Sequence, residues 1–220
     1  MRYPKAVWRP ITTNFRRGRT RGAAKVNAFV CHSQEGWNSL FSMFNNPARR
    51  ASTHFWIGRD GTVEQYVDTG DTAWGNGERN RRGGADSRIP WAAAAYAAAS
   101  VNDETISCEL EGIAGERITL AQEAAAAGLI GWVHAAHGLG APRRHVTVVE
   151  HNQLSATACP SNRWPVDRIL AAIQSATAPT TKGMLAFWYP GLEQDEALAR
   201  FINQTIVNDL AAQSRMDEAA

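Results

Sequence analysis

Between residues 26 and 176 the apolar positions switch repeatedly between two periods. VNAFVCH (26–32) reads as a short buried strand ending at His32. Alternation along it sends Cys31 and His32 to opposite faces. In GWNSLFSMF (36–44) the period lengthens: Trp37, Leu40, Phe41 and Phe44 fall at i, i+3, i+4 and i+7, which predicts a short helix. THFWIGRDGTVEQYV (53–67) is two β-prone runs joined through Asp60-Gly61, a strong hairpin turn. ETISCELEG (104–112) predicts another strand. Thr119-Leu-Ala-Gln122 has the form of a capping box and opens a long Ala-rich helix that stops near Gly138 and Gly140. HVTVVEH (145–151) predicts a strand that delivers His151. The last amphipathic helix has Pro165 in its first turn and Val166, Ile169, Leu170 and Ile173 along one side.

Strands interleaved with helices imply one α/β domain, a mixed central β-sheet flanked by helices, over about residues 26–176. GNGERNRRGGADSR (75–88) reads as an exposed loop, and the Ala tract around Trp91 and Tyr96 as either a short helix or a packed loop. SATAPTTKG (175–183) has linker composition, and residues 177–220 form a linker and a short helical C-terminal extension. That acidic helix, near 193–213, is too short to bury a core of its own.

Composition adds constraints. With 44% hydrophobic and 20% charged residues the chain is globular, and no stretch approaches the roughly 20 continuous apolar residues of a membrane span. MRYPKAVWRP has no apolar run after its basic residues, so no secretory signal is read there. Three scattered cysteines, Cys31, Cys108 and Cys159, fit a reducing compartment better than a disulfide framework. The net charge of +2 hides an asymmetry: residues 1–25 carry eight Lys and Arg and no Asp or Glu, while the C-terminal region is acidic. The basic N-terminal arm is expected either to attract an anionic polymer such as the bacterial wall or to be a solvated terminus. Nothing resembles a nucleic-acid-binding fold motif.

Among residues able to do chemistry, HNQLSATACPS (151–161) places a histidine at a strand end eight positions before a cysteine. Alone, that spacing matches no common compact zinc motif. Five segments together, in order, resemble the amidase-2 family of N-acetylmuramoyl-L-alanine amidases and peptidoglycan-recognition proteins. They are FVCHSQEG, STHFWIGRDGTVEQYV, DTAWGNG, ETISCELEG and EHNQLSATACPS. The resemblance implies a zinc ion held by His32, His151 and Cys159, with the fourth tetrahedral position open, as in a catalytic site. It implies a catalytic carboxylate at Glu109, with Glu111 as the competing assignment, and a catalytic position at Thr157, where some relatives carry Lys. A hydroxyl there is a weaker, uncharged oxyanion donor. Substrate contacts are implied at Trp74, Asn76 and Asn152, although Gly75 stands where many relatives have His.

The implied activity is hydrolysis of the amide between N-acetylmuramic acid and L-alanine in bacterial peptidoglycan. The expected setting is a monomeric phage endolysin that stays in the host cytoplasm until lysis and then acts on the cell wall. The competing function is a muropeptide-binding module that does not cut, the behaviour of relatives lacking the third ligand. His54 reads as a packed core residue. His134 and His137, spaced i, i+3, either bind a metal or sit against the negative end of a helix dipole.

Overall fold

The computed structural model describes residues 1–19, 25–76, 89, 91–92, 94–95 and 100–177. The chain divides into two compact units, Met1–Ile173 and Gln174–Ala220. Of the second, only its first few residues are described, and the expected linker and acidic helix lie outside the described residues, as do Tyr96 and most of the 75–88 loop.

In the first unit, β1 (Val7–Trp8), β3 (Ala28–Ser33), β4 (Phe55–Ile57), β5 (Val63–Gln65), β7 (Thr105–Leu110) and β8 (Val148–Glu150) form one mixed sheet in the order β1-β5-β4-β7-β3-β8. β3 runs parallel to both β7 and β8, and β4 is parallel to β7 but antiparallel to β5, closing the expected hairpin. A two-stranded ribbon pairs β2 (Phe15–Arg16) with β6 (Thr72–Ala73). Among the described residues, α1 (Phe41–Phe44), α2 (Leu120–His137) and α3 (Val166–Thr177) are helices with both ends defined. No described helix is long and apolar enough to cross a membrane.

Strand alternation sorts the side chains into two layers. Phe29, Cys31, Phe55, Ile106 and Cys108 enter the main core with Leu129, Ile130 and Val133 of α2 and Val166, Ile169 and Ile173 of α3. The intervening positions face the other way. Ala28 and Val30 join Ile89, Ala92, Val149 and Leu154, while Trp56 packs with Leu40, Phe44 and Tyr66. Because the two long helices cover the first face, polar groups at alternate positions of β3 and β7 come together on the second. Helix α2 starts as its sequence predicts, with the reciprocal Thr119–Gln122 capping box, and ends at Gly138 with φ 64°.

Three expectations change. The helix expected over 36–44 forms only at Phe41–Phe44, because Glu35 (φ 53°) and Asn38 (φ 67°) are left-handed and Gln34 Nε2 donates to the carbonyls of Trp37 and Asn38. Trp37 is consequently 47% exposed, with the Arg59 guanidinium 5.3 Å from its ring centre. The strand expected over 145–151 shortens to Val148–Glu150, since His145 has φ 61° and His151 opens a 3₁₀ turn.

The basic segment read as an arm is, over its described residues 1–19, built into the domain. β1 extends the sheet edge, Arg9 pairs with Glu64 at 2.6 Å, and Arg16 pairs with Asp103. Arg19 donates to the carbonyls of Thr69, Asp103 and Thr105. Pairing with local carboxylates and carbonyls takes up charges that, in the sequence, stand without any acidic neighbour.

Candidate functional site

His32, Glu109 and Trp56 occupy one register row across β3, β7 and β4, and alternation puts them on the face away from the long helices. β8 runs beside β3 in the same direction and ends at Glu150, so His151 emerges at the same sheet edge as His32. The chain then returns through a loop pinned by Asn152 N–H donating to the Cys159 carbonyl at 2.8 Å. That return brings one ligand atom from each of His32, His151 and Cys159 within 4.8 Å of one another. The two imidazole centres are 4.4 Å apart, and Cys159 Sγ lies 3.6 Å from His32 Nδ1.

The outer nitrogens of both rings are already committed. His32 Nε2 meets Asn76 Oδ1 at 2.5 Å, and His151 Nε2 meets Ser155 Oγ at 2.9 Å. Nδ1 of each ring is left for a central ligand, and His151 Nδ1 is buried without any hydrogen-bond partner among the described residues. Burial holds the His32 imidazole well below its usual range and His151 at about 4, so both rings are neutral, the state a metal requires. Burial, with Glu109 nearby, pushes the Cys159 thiol up to about 12. The Ser33 amide donates to Cys159 Sγ at 3.3 Å, a contact that favours the thiolate. An orphaned imidazole nitrogen, two neutral rings and an adjacent sulfur fit a tetrahedral zinc with one position left over.

Asn76, expected as a substrate contact, is buried instead. Its Oδ1 faces His32, its Nδ2 donates to Thr105 Oγ1 at 2.6 Å, and its own amide donates to Asn102 Oδ1 at 2.7 Å. It holds the His32 ring in place, the position that partners behind metal-bound histidines commonly take. Gly75 makes this approach possible: a Cβ there would lie 2.8 Å from the Ser52 carbonyl oxygen and 3.4 Å from Ser107 Oγ. The histidine found at this position in relatives has no room here. Asn76→Ala should weaken zinc affinity by about 10–100-fold, read by competition with a chromogenic chelator. Unchanged affinity would reduce Asn76 to a packing residue.

The carboxylates separate clearly. Glu109 Oε1 is 3.9 Å from His32 Nδ1, its Oε2 is buried with no partner among the described residues, and burial pushes the carboxyl up to about 8. Glu111 lies past the strand end, where its two oxygens accept the amides of Asn38 at 2.7 Å and Arg59 at 2.8 Å. Glu111 therefore pins two loops, and Glu109 faces the cluster. Thr157 is exposed, and its hydroxyl accepts the Cys159 amide at 3.2 Å. The Asn152 side chain is exposed and Trp74 is half-buried, its amide held by Ser52 Oγ.

The remaining histidines stay out of the site. His54 is fully buried against Ser107, and His134 bridges the Ile130 carbonyl and Thr147 Oγ1. Several supporting residues had no signal in the sequence. Ser155 follows His151 by one helical turn, Trp164 Nε1 donates to the His32 carbonyl at 2.9 Å, and Arg163 is 4% exposed. Arg163 ties Ser33 Oγ to the carbonyls of Leu110 and Glu111. Gly112, at φ 119°, leaves the space its guanidinium occupies.

Solved structures share this fold. A selenomethionine derivative of AmpD superposes with a TM-score of 0.58 at 18% identity, covering 78% of this chain and 96% of that one. The N-acetylmuramoyl-L-alanine amidase LysC from Clostridium intestinale superposes at 0.55 and 17% identity, covering 78% and 99%. PlyL does so at 0.54 and 15%, covering 76% and 96%. At these identities the likeness is one of fold. No curated protein sequence matches the chain at a significant level. A family model described as N-acetylmuramoyl-L-alanine amidase matches residues 22–162, a span that contains all three candidate ligands and Glu109, and the chain belongs to that amidase-2 family.

Proposed function

We propose that the protein is a zinc-dependent N-acetylmuramoyl-L-alanine amidase that releases the stem peptide from bacterial peptidoglycan. The observation that carries this reading is the convergence of His32, His151 and Cys159, with Glu109 3.9 Å from His32. His32 and His151 would hold the ion through Nδ1, and Cys159 through its thiolate. When bound, zinc supplies Lewis acidity to the scissile carbonyl and activates water near neutral pH.

The chain's own residues do the rest. Asn76 and Ser155 fix the two imidazole tautomers, and the Ser33 amide steadies the sulfur. Glu109, with one oxygen unpartnered, accepts a proton from the attacking water and returns it to the leaving L-alanine nitrogen. Burial raises this carboxyl, and the positive charge of a bound zinc would lower it again, toward the range in which one group can serve in both directions. Thr157, whose oxygen accepts the Cys159 amide, keeps its own O–H to donate toward the developing oxyanion. Trp74, half-buried, and Asn152, exposed and next to His151 in the chain, remain the proposed substrate contacts. The presence of Cys159 beside both histidines supports an enzyme over a binding module that does not cut.

The biological setting we propose is a monomeric phage endolysin, held in the host cytoplasm until the membrane is breached. Digestion of purified muropeptides followed by mass analysis tests the reaction. The expected products are intact stem peptides with a new L-alanine amino terminus and peptide-free sugars. A cut between sugars or within the stem would place the protein in another enzyme class.

A further inference from the structure

Behind His32 the polar contacts form a chain that runs in one direction. The Thr105 hydroxyl donates to the Val101 carbonyl at 2.7 Å, Asn76 Nδ2 donates to Thr105 Oγ1 at 2.6 Å, and Asn76 Oδ1 meets His32 Nε2 at 2.5 Å. All four residues are buried. A backbone carbonyl only accepts, so the single hydroxyl proton of Thr105 is committed to Val101. Thr105 Oγ1 then has only lone pairs left for Asn76. The amide must turn its NH2 toward Thr105 and its oxygen toward His32, an orientation that follows from the network. An acceptor facing Nε2 places the ring proton there and leaves the lone pair on Nδ1.

One short segment grips Asn76 at both ends. The 3₁₀ turn Val101–Glu104 leads directly into β7, with Thr105 as its C-terminal cap. Within that turn Asn102 Oδ1 accepts the Asn76 backbone amide at 2.7 Å, while Thr105 holds the side chain. The turn is anchored in its own right: Arg16 pairs with Asp103, and Arg19 donates to the carbonyls of Asp103 and Thr105. Alternation along β7 puts Thr105 on the same face as Glu109, four residues further from the cluster. With its backbone fixed, Asn76 cannot exchange its two amide atoms without losing the bond to Thr105.

We propose that Thr105 is a positioning residue for the metal centre: acting through Asn76, it fixes the His32 proton on Nε2, so that Nδ1 is bare before any metal arrives. The inference deepens the zinc-amidase reading and rests on it. Without the Thr105 hydroxyl the Asn76 amide is free to turn over. Its NH2 would then face His32, Nε2 would have to accept, and the ring proton would move to Nδ1. A protonated nitrogen cannot ligate a metal, so binding would first have to reverse both amide and ring, at a cost in affinity.

The test compares Thr105→Val, which keeps the shape and removes the hydroxyl, with Thr105→Ser, which keeps the hydroxyl. Nitrogen NMR of the imidazole rings in the metal-free whole protein distinguishes a proton on Nε2 from one on Nδ1. Wild type and Thr105→Ser should show His32 with its proton on Nε2 alone, and Thr105→Val should add the Nδ1 form. His151, partnered by Ser155, should look alike in all of them. Zinc affinity, read by chelator competition, should fall about tenfold in Thr105→Val, the low end for loss of an outer partner, and stay within about twofold in Thr105→Ser. A role in packing alone would cost stability in both variants and leave the ring proton where it is. An unchanged His32 ring in Thr105→Val, or equal loss of zinc affinity in both variants, overturns the proposal. So does a wild-type His32 protonated on Nδ1, a result that stands even where Thr105→Val fails to fold. A Thr105-dependent His32 proton in a protein that cuts no muropeptide would uphold the positioning role and refute the amidase reading. Cleavage at the expected bond with a His32 ring indifferent to Thr105 would do the reverse.

Discussion

Glu109→Gln is expected to lower kcat on muropeptides by about 100- to 10,000-fold, the usual worth of a positioned general acid–base group. Zinc content should be unchanged, and the melting temperature should hold or rise. The reason lies in what Glu109 does not do. Its Oε2 is buried without a partner among the described residues, and its Oε1 lies 3.9 Å from Nδ1 of the neutral His32 ring, so the neutral amide breaks no hydrogen bond. Burying the carboxyl is itself costly, as its pKa near 8 records. Removing that cost makes the inactive variant at least as stable, the trade expected where function opposes stability. Glu111→Gln should behave oppositely, because both Glu111 oxygens hold loop amides. It should lower the melting temperature while most turnover survives. Near-normal activity in a folded Glu109→Gln protein would contradict the account.

Much of this arrangement is legible along the chain, and what is not has identifiable causes. β3, the 53–67 hairpin, the Thr119–Gln122 box and the Pro165 helix rest on local rules of period, turn and cap, and all appear in the structure. The 36–44 segment fails because periodicity cannot register that Asn38 enters the left-handed region, where Asn is tolerated more readily than most residues. The N-terminal segment fails because its partners, Glu64 and Asp103, lie 55 and 87 residues away in sequence. Five ordered segments brought out the candidate ligand set through family resemblance, since a histidine and a cysteine eight apart carry little signal alone. The roles of Asn76 and Ser155 depend on which ring nitrogen faces inward, and only the folded geometry shows that.

The second large effect concerns the metal. The protein is expected to bind one zinc, and Cys159→Ala should lower the affinity by more than about 100-fold, beyond what loss of an outer partner costs. Turnover should be lost with it. The fold should survive, because the main core is assembled from Phe29, Phe55, Leu129, Val133 and Ile169 and contains none of the three ligands. The most direct measurement of the central claim is the zinc-edge X-ray absorption spectrum of the loaded wild-type protein. Two nitrogen neighbours at about 2.0–2.1 Å, one sulfur at about 2.3 Å and one further light atom are expected. In Cys159→Ala the sulfur shell should vanish. A wild-type spectrum without sulfur, or a sulfur shell that persists in Cys159→Ala, would contradict the assignment of His32, His151 and Cys159 as the ligands of an open catalytic site.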